Sequence, residues 1–185
     1  KKFVIIGNMN AVTYKDIFPL IKNGQIWYGA SIRSGDREFR VPNDYPLMAS
    51  GSRVDEFGNK FIRVKGIRWF TNLNYPSRHK DLALQSTYSS DANPMYANFG
   101  AIEVGKTKDI PLDYDGPMGV PITFLDKFNP DQFEILGSSR SLSLPMSQIA
   151  DKGKYQQGGP RFYLPNGDGT YRRMYERIII RKKHL

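Results

Sequence analysis

The first apolar positions of the chain form one short continuous run. Residues 3–6 are Phe, Val, Ile and Ile, and Gly7 and Asn8 end the run. A run of this kind is typical of a strand buried on both faces of a sheet, which predicts a strand over residues 3–7. Such a strand needs neighbours on both sides, yet only two lysines precede it. We therefore expect the N-terminal part of a larger protein to precede residue 1.

The following positions predict a helix and a second strand. Thr13 and Asp16 have the spacing of a capping box, which predicts a helix near residues 14–22 that Gly24 ends. Residues 25–29, with the sequence QIWYG, predict a second strand. The order strand, helix, strand is typical of an α/β layer.

A polar stretch and a long alternating stretch come next. Residues 31–60 are rich in Ser, Gly, Pro and Arg, and they predict a loop or insertion. Residues 61–73 alternate well enough to predict one long strand, with a bulge or bend at Gly66. Because side chains alternate along a strand, Trp69 and Phe70 lie on opposite faces, and at most one of them can face a ligand.

The C-terminal part of the chain predicts mostly β-structure. Residues 74–120 show little periodicity and predict loops and short strands, whereas residues 121–128 fit either a helix or a strand. A strand is expected over residues 133–136. The sequence NGDG at 166–169 separates two apolar runs, which is a strong signal for a hairpin.

The composition excludes several kinds of site. The 185 residues contain no cysteine, which excludes disulfides, thiolate metal sites and a cysteine nucleophile, and which fits a reducing cytoplasm. Only His79 and His184 could supply an imidazole, so we expect no metal. No stretch approaches the 18 apolar residues of a membrane span, so we expect no membrane partner.

The positive charge lies towards the two ends of the chain. The net charge is +9. Residues 152–185 hold nine basic and two acidic side chains, whereas residues 69–151 hold six basic and ten acidic ones. This distribution permits a face that binds a polyanion, although a basic surface that only keeps the protein in solution stays open.

The best candidate for binding is the stretch GIRWFTNLNYPSRHK at residues 66–80. It interleaves basic side chains with aromatic rings, and such rings stack on nucleic-acid bases for roughly 1–3 kcal/mol each. The alternative is that Trp69 and Phe70 are core residues of a buried strand. The chain contains no glycine-rich phosphate loop and no Ser-His-Asp set, so it has no complete active site of its own.

Four ordered blocks of the sequence carry a resemblance to a known family. They are KKFVIIGNMNAVTYKDIFPLIKNGQIWYG, IRWFTNL, DYDGPMGVPITFLDKFNPDQFEILG and RFYLPNGDGTYRRMYERIIIRK. Together they resemble the C-terminal half of the EcoRI-type adenine-specific DNA methyltransferases, from residue 1 to about residue 183. The resemblance is weakest over residues 31–60 and 138–160.

The resemblance implies the fold class and the domains. The chain would be an α/β (α+β) fragment, in which residues 1–73 form the C-terminal part of a Rossmann-like class I methyltransferase sheet with an insertion at 31–60. Residues 74–185 would form a β-rich target-recognition region. In this family the glycine motif for S-adenosylmethionine and the catalytic Asn-Pro-Pro-Phe precede a strand like the one at 3–7, so a missing N-terminal half would hold both.

The resemblance also implies the chemistry. The full-length enzyme would transfer a methyl group from S-adenosylmethionine to the N6 amine of adenine in double-stranded DNA, as part of a restriction-modification system in the prokaryotic cytoplasm. The target base must leave the stack at a cost of a few kcal/mol. We expect this chain alone to bind no cofactor and to be inactive.

The expected site residues follow from the resemblance and from the basic and aromatic stretches. The base pocket or cofactor rim would contain Asn8, Asn10, Trp69 and Phe70. The DNA-binding residues would be Arg33, Arg37, Arg40, Arg68, Asn72, Arg78, Lys80, Arg172 and Arg173. For Asn8 and Asn10 the alternative is a turn that caps the strand and the helix.

Two other classes of function stay open at this point. The chain could be a stand-alone DNA-binding specificity module without catalysis, or a nuclease-related recognition domain. A glycine motif and an Asn-Pro-Pro-Phe motif upstream of residue 1 would separate both from the methyltransferase interpretation.

Overall fold

The structure is a computed structural model, and it describes residues 1–32, 36–48 and 50–183. Its strands are β1 Val4–Asn8, β2 Trp27–Tyr28, β3 Arg37–Val41, β4 Ser52–Val54, β5 Lys60–Val64, β6 Ile67–Thr71, β7 Ile102–Glu103, β8 Met118–Pro121, β9 Phe133–Ser138, β10 Tyr163–Pro165, β11 Tyr171–Arg173 and β12 Arg177–Lys182. Its α-helices are α1 Phe18–Lys22 and α2 Ser139–Leu142. Its 3-10 helices are Met9–Thr13, Pro76–His79, Thr107–Asp109, Ile122–Lys127 and Met146–Gln148. The class is therefore mixed α and β, with several small sheets.

The first sheet has the strand order β1-β6-β2. β6 runs antiparallel to both neighbours, with Val4 opposite Thr71, Asn8 opposite Ile67, and Tyr28 opposite Phe70. β1 and β2 are therefore parallel to each other; β1 ends at the edge opposite Ile67, whereas β2 has only two residues and ends opposite Phe70. β6 begins at the edge where β1 ends, and it ends at the opposite one.

β1 lies at the border of this sheet and is not covered. Its apolar side chains Val4, Ile5 and Ile6 are 53%, 57% and 44% exposed. Within the described residues β1 pairs only with β6. The prediction of a strand buried on both faces is therefore wrong for this chain by itself, because side chains on both faces of β1 are exposed.

The first helical segment differs from the one that the capping box predicts. A 3-10 helix covers Met9–Thr13, and the α-helix begins only at Phe18. The Thr13 hydroxyl donates to the carbonyl of Asn10 at 2.8 Å, so it does not cap a following helix. Pro19 lies in the first turn of α1, where its missing N–H leaves no bond unmade.

The long strand expected over residues 61–73 is two strands in two sheets. β5 lies in a second sheet of order β3-β5-β4, and β6 lies in the first. Gly66 separates them with φ of +67°, a conformation that L side chains rarely adopt. The prediction of one continuous strand is wrong because the glycine makes a turn rather than a bulge. The insertion expected at 31–60 is largely this second sheet, which reaches Val64.

The C-terminal part contains a four-stranded sheet of order β7-β8-β12-β9 and the hairpin β10-β11. The hairpin confirms the signal at 166–169, because the Asn166 N–H donates to the Thr170 carbonyl across the turn. The strand expected at 133–136 is confirmed within β9. The ambiguous stretch 121–128 forms the end of β8 and the 3-10 helix Ile122–Lys127.

β12 lies between the two hydrophobic clusters of the molecule. Ile178 and Ile180 belong to a large cluster that includes Tyr28, Phe70 and Phe124 from both halves of the chain. Ile179 points the other way, into a smaller cluster around Phe162. This explains why the run of three isoleucines is apolar throughout. Residues 1–73 and 74–185 therefore share one core.

A buried ion pair holds the first residue of β12 in place. The Arg177 guanidinium donates from Nη2 to Glu103 Oε1 at 2.7 Å, and the Tyr96 hydroxyl donates to the same carboxylate. Burial, followed by the charge of Glu103, raises the pKa of Tyr96. The phenol therefore stays a neutral donor to the pair. Among the described residues no helix is long and apolar enough to cross a bilayer.

Candidate nucleic-acid interface

The end of β1 and the start of β6 meet at one edge of the first sheet. In open α/β sheets, ligands bind beyond the carboxyl ends of the strands. β1 ends at Asn8, and β6 begins opposite it, directly after Lys65 and Gly66. We call Asn8, Asn10, Lys65 and Gly66 the rim.

Hydrogen bonds fix the backbone of the rim. Asn8 Oδ1 accepts from the N–H of Asn10 at 2.9 Å, and Asn8 Nδ2 donates to the Lys65 carbonyl at 3.0 Å. The Met9 N–H donates to the Gly66 carbonyl at 2.6 Å. Asn8 thus joins the end of β1 to the start of β6 and uses both ends of its amide. The Asn10 side chain is exposed and has no hydrogen bond among the described residues, so its amide is free for a ligand.

Tyr28 supports the backbone next to the rim through a hydrogen bond. Its hydroxyl donates to the Met9 carbonyl at 3.1 Å, and its ring packs edge-on against Phe70 with 5.2 Å between ring centroids. Burial, followed by the charge of Asp126, raises the pKa of the Tyr28 phenol. The phenol therefore remains a hydrogen-bond donor, which keeps Met9 and its neighbours in place.

Replacing Gly66 with alanine is expected to lower the free energy of unfolding by about 1–2 kcal/mol. The left-handed backbone disfavours a Cβ, and the new carbon would lie 3.1 Å from Met9 Cγ. Gly105→Ala is the control, because a Cβ there meets nothing within 4 Å. Urea denaturation of both variants measures the difference, and equal stabilities would show that the turn does not need glycine.

The second sheet emerges from the rim. Along the chain it lies between β2 and β6, and its strand β5 is joined to β6 through Lys65 and Gly66 of the rim. The pairing of Arg40 with Phe61 and of Glu38 with Arg63 places side chains of three strands on one side of this sheet. We call this side the arginine face; its members are Glu38, Arg40, Arg53, Phe61 and Arg63.

One arginine of this face is paired and two are free. Arg53 donates to both carboxylate oxygens of Glu38, at 2.8 and 2.6 Å, and stacks over Phe61. Arg40 and Arg63 are exposed, and no ion pair engages either of them within the part of the chain that the structure describes. These two guanidinium groups are available to an anionic partner next to the rim.

Only part of this face is predicted from the sequence. Arg40 was among the expected DNA-binding residues, whereas Arg53 and Arg63 were not. No local pattern marks these two arginines, because their common face is set by the pairing of β5 with β3 and β4. Arg37 lies on the opposite side of the sheet and donates to the Asp36 carbonyl. Arg33 lies outside the described residues.

Trp69 and Phe70 lie on opposite faces of β6, as the alternation requires. Phe70 is 6% exposed and belongs to the large hydrophobic cluster. Trp69 is half-buried on the other face, opposite Ile6 of β1. Of the two rings, only Trp69 retains a surface that a further partner could cover.

Arg68 does not face solvent. Its side chain is 4% exposed and donates from Nε and Nη2 to the two oxygens of Asp126, at 2.7 and 2.8 Å. The hydrogen bonds that Arg68 donates to Asp126 raise the pKa of Arg68. Because the guanidinium is enclosed and paired in this way, it is not accessible to DNA. The interface proposed below therefore leaves Arg68 and Phe70 out.

Asn72, Arg78 and Lys80 lie away from the rim. They follow the end of β6, which is opposite the start of β1. Asn72 accepts from the Phe3 N–H and donates to the Lys1 carbonyl, so it holds the first residues of the chain. The antiparallel direction of β6 is the reason why this stretch and the rim are at different edges.

Arg172 and Arg173 belong to the C-terminal hairpin. Arg172 is exposed on β11. Arg173 donates to the Gly159 carbonyl at 3.1 Å, and its Nε is buried without a partner. The described residues contain no group of three or more His, Cys, Asp or Glu side chains that could hold a metal ion.

A comparison with protein families matches nearly the whole chain. The family described as adenine-specific methyltransferase EcoRI matches residues 1–183. This confirms the resemblance that the four sequence blocks indicate.

Curated relatives agree with the family match. The chain is 51% identical to the Type II methyltransferase M.EcoRI of Escherichia coli over 138 residues, which are 74% of this chain and 42% of that protein. It is 41% identical to M.MpnI of Mycoplasma pneumoniae over 140 residues, 74% of this chain and 44% of that protein. It is 32% identical to M.MgeORF184P of Mycoplasma genitalium over 191 residues, all of this chain and 58% of that protein. The two Mycoplasma proteins are also Type II methyltransferases. The chain thus spans about half the length of these relatives. No solved structure matches the chain significantly.

Proposed function

Because this chain belongs to the EcoRI adenine-specific methyltransferase family, we propose that it is the C-terminal half of a site-specific DNA adenine-N6 methyltransferase. The full-length enzyme uses S-adenosylmethionine and acts on double-stranded DNA in a restriction-modification system. The family match over residues 1–183 is the observation that carries this proposal. The chain spans 42% of M.EcoRI, which fits a C-terminal half.

The open side of β1 supports a missing N-terminal half. In the described part of the chain no strand pairs with the outer edge of β1, and Val4, Ile5 and Ile6 are exposed beside it. Further strands on this edge would extend β1-β6-β2 into the mixed Rossmann-like sheet of a class I methyltransferase. The glycine motif and the Asn-Pro-Pro-Phe would come from that half.

The residues of this chain do not by themselves fit S-adenosylmethionine. The rim offers one free amide, that of Asn10, and the sequence has no glycine-rich turn to receive the cofactor. This half of the enzyme therefore contributes to the binding of DNA rather than of the cofactor. Asn10 would border the pocket for the extruded adenine, and the arginine face beside it would hold the phosphates of the same duplex.

Methylation by two forms of the protein tests the proposal. The full-length protein and the 185-residue chain are each incubated with labelled S-adenosylmethionine and mixed-sequence duplex DNA, and the nucleosides are separated. We expect N6-methyladenine from the full-length protein and none from the chain, since the chain lacks both catalytic motifs.

Each of the other outcomes of this experiment would show which part of the proposal is wrong. Turnover by the pure 185-residue chain would contradict the assignment of the catalytic motifs to the N-terminal half. DNA binding by the full-length protein without any methylation would favour the specificity module instead. A reaction without added S-adenosylmethionine is the control for methyl groups already present in the DNA.

A further inference from the structure

A basic cavity lies at the edge of the first sheet opposite the rim. It has a volume of about 210 Å³ and lies between the 3-10 helices Pro76–His79 and Ile122–Lys127. Three cations line it, namely Arg78, Lys80 and Lys127. None of these side chains has a part in the function proposed above.

Arg78 is held in place without an ion-pair partner among the described residues. Its guanidinium carbon lies 3.9 Å from the centre of the Trp27 ring, and Trp27 is fixed by a hydrogen bond from its Nε1 to the Leu73 carbonyl. Arg78 Nε is buried and has no hydrogen-bond partner. No carboxylate lies within ion-pair distance of Arg78 among the described residues. Burial accordingly lowers the pKa of this guanidinium, as expected for a cation that lacks a partner.

The acidic groups around the cavity are already engaged. Asp126 accepts both hydrogen bonds from Arg68, and Asp81 accepts from Asn129 Nδ2 at 2.9 Å. Asp131, which also lies near Arg78, is bonded to the imidazole of His79. Lys80 and Lys127 are exposed, and no salt bridge engages either of them in the described part of the chain. The cavity therefore has a surplus of positive charge.

We propose that this cavity binds a phosphate group. A guanidinium fixed by stacking presents its remaining N–H groups in a fork that matches two phosphate oxygens, and the two lysines add mobile point charges. The volume is below the roughly 300–1,000 Å³ of a drug-sized pocket, so one phosphate group with its nearest atoms fits better than a whole nucleotide cofactor. The phosphate comes either from the backbone of bound DNA or from a small phosphate compound.

Titration calorimetry of the full-length protein with inorganic phosphate tests the site. We expect Arg78→Gln to weaken binding at least tenfold, because it removes the charge and the fork together. Arg78→Lys keeps the charge and should give an intermediate affinity. Lys80→Gln/Lys127→Gln changes only exposed side chains, and it should weaken binding several-fold with an unchanged melting temperature. Lys106→Gln/Lys108→Gln removes the same charge elsewhere and should have no effect.

Duplex DNA separates the two sources of the phosphate. If the DNA backbone occupies the cavity, Arg78→Gln lowers the slope of log K against log[salt] by about 0.9, and inorganic phosphate competes with the duplex. If a small phosphate compound occupies it, the variant loses phosphate affinity and keeps the wild-type salt slope. The proposal is overturned if the Lys80→Gln/Lys127→Gln variant, folded as the wild type, binds phosphate with unchanged affinity and DNA with an unchanged slope. None of these readouts depends on methyl transfer.

Discussion

Phe70→Ala is expected to lower the free energy of unfolding by about 3–5 kcal/mol, because it leaves a cavity in the large hydrophobic cluster. The Phe70 ring packs edge-on against Tyr28 and is 6% exposed. Trp69→Ala is expected to cost much less, because the Trp69 ring is only half-buried on the uncovered face of the same strand. Substitutions at two adjacent positions of β6 therefore serve as the test and its control.

In catalysis the order of the two effects should be reversed, with the larger kinetic defect in Trp69→Ala. If Trp69 lines the pocket for the extruded adenine, Trp69→Ala in the full-length enzyme raises KM or lowers kcat on cognate duplex while the melting temperature stays close to that of the wild type. Phe70→Ala, assayed well below its melting temperature, should retain the wild-type kinetics. Thermal melts measured beside methylation kinetics decide between the roles. Two equally destabilised variants without a separate catalytic defect would place both rings in the core and contradict the pocket assignment.

Arg68→Leu is the second substitution with a large expected effect, and the effect is on stability. It leaves Asp126 buried without its partner, which typically costs about 3–5 kcal/mol. The pair joins β6 to the 3-10 helix Ile122–Lys127, so the loss should loosen the contact between the two halves of the chain.

A double substitution separates the ion pair from any role in DNA binding. Arg68→Leu/Asp126→Leu removes both charges and should recover a large part of the lost stability, because no unpaired carboxylate remains. Below the melting temperature, both variants should bind duplex DNA with the wild-type salt slope. A fall in DNA affinity without any loss of stability would return Arg68 to the DNA-binding residues.

Local chemistry in the sequence was sufficient to predict several elements. The NGDG turn specifies its own hairpin through glycine at positive φ, and the stretch FEIL at 133–136, which Gly137 follows, predicts β9. The resemblance carried by four sequence blocks gave the family, which the comparison over residues 1–183 confirms.

The placement of the site depends on contacts that no local pattern contains. β6 inserts antiparallel between β1 and β2, and this single fact moves Asn72, Arg78 and Lys80 to the edge opposite Asn8. Arg68 looks like a DNA ligand in the stretch GIRWF, yet its partner Asp126 is 58 residues farther along the chain. Arg63 was missed for a related reason, since its face is defined only by the pairing of β5 with β3.

The salt dependence of DNA binding by the full-length enzyme tests most directly whether DNA lies along the arginine face beside the rim. The variant Arg40→Gln/Arg63→Gln removes the two free guanidinium groups, and Lys106→Gln/Lys108→Gln is the control of equal charge. Each lost phosphate contact lowers the slope of log K against log[salt] by about 0.9, so the first variant should lose about 1.8 and methylate more slowly at low DNA concentration. The control should keep the wild-type slope. An unchanged slope and unchanged methylation in the arginine variant would contradict the placement of DNA at this edge.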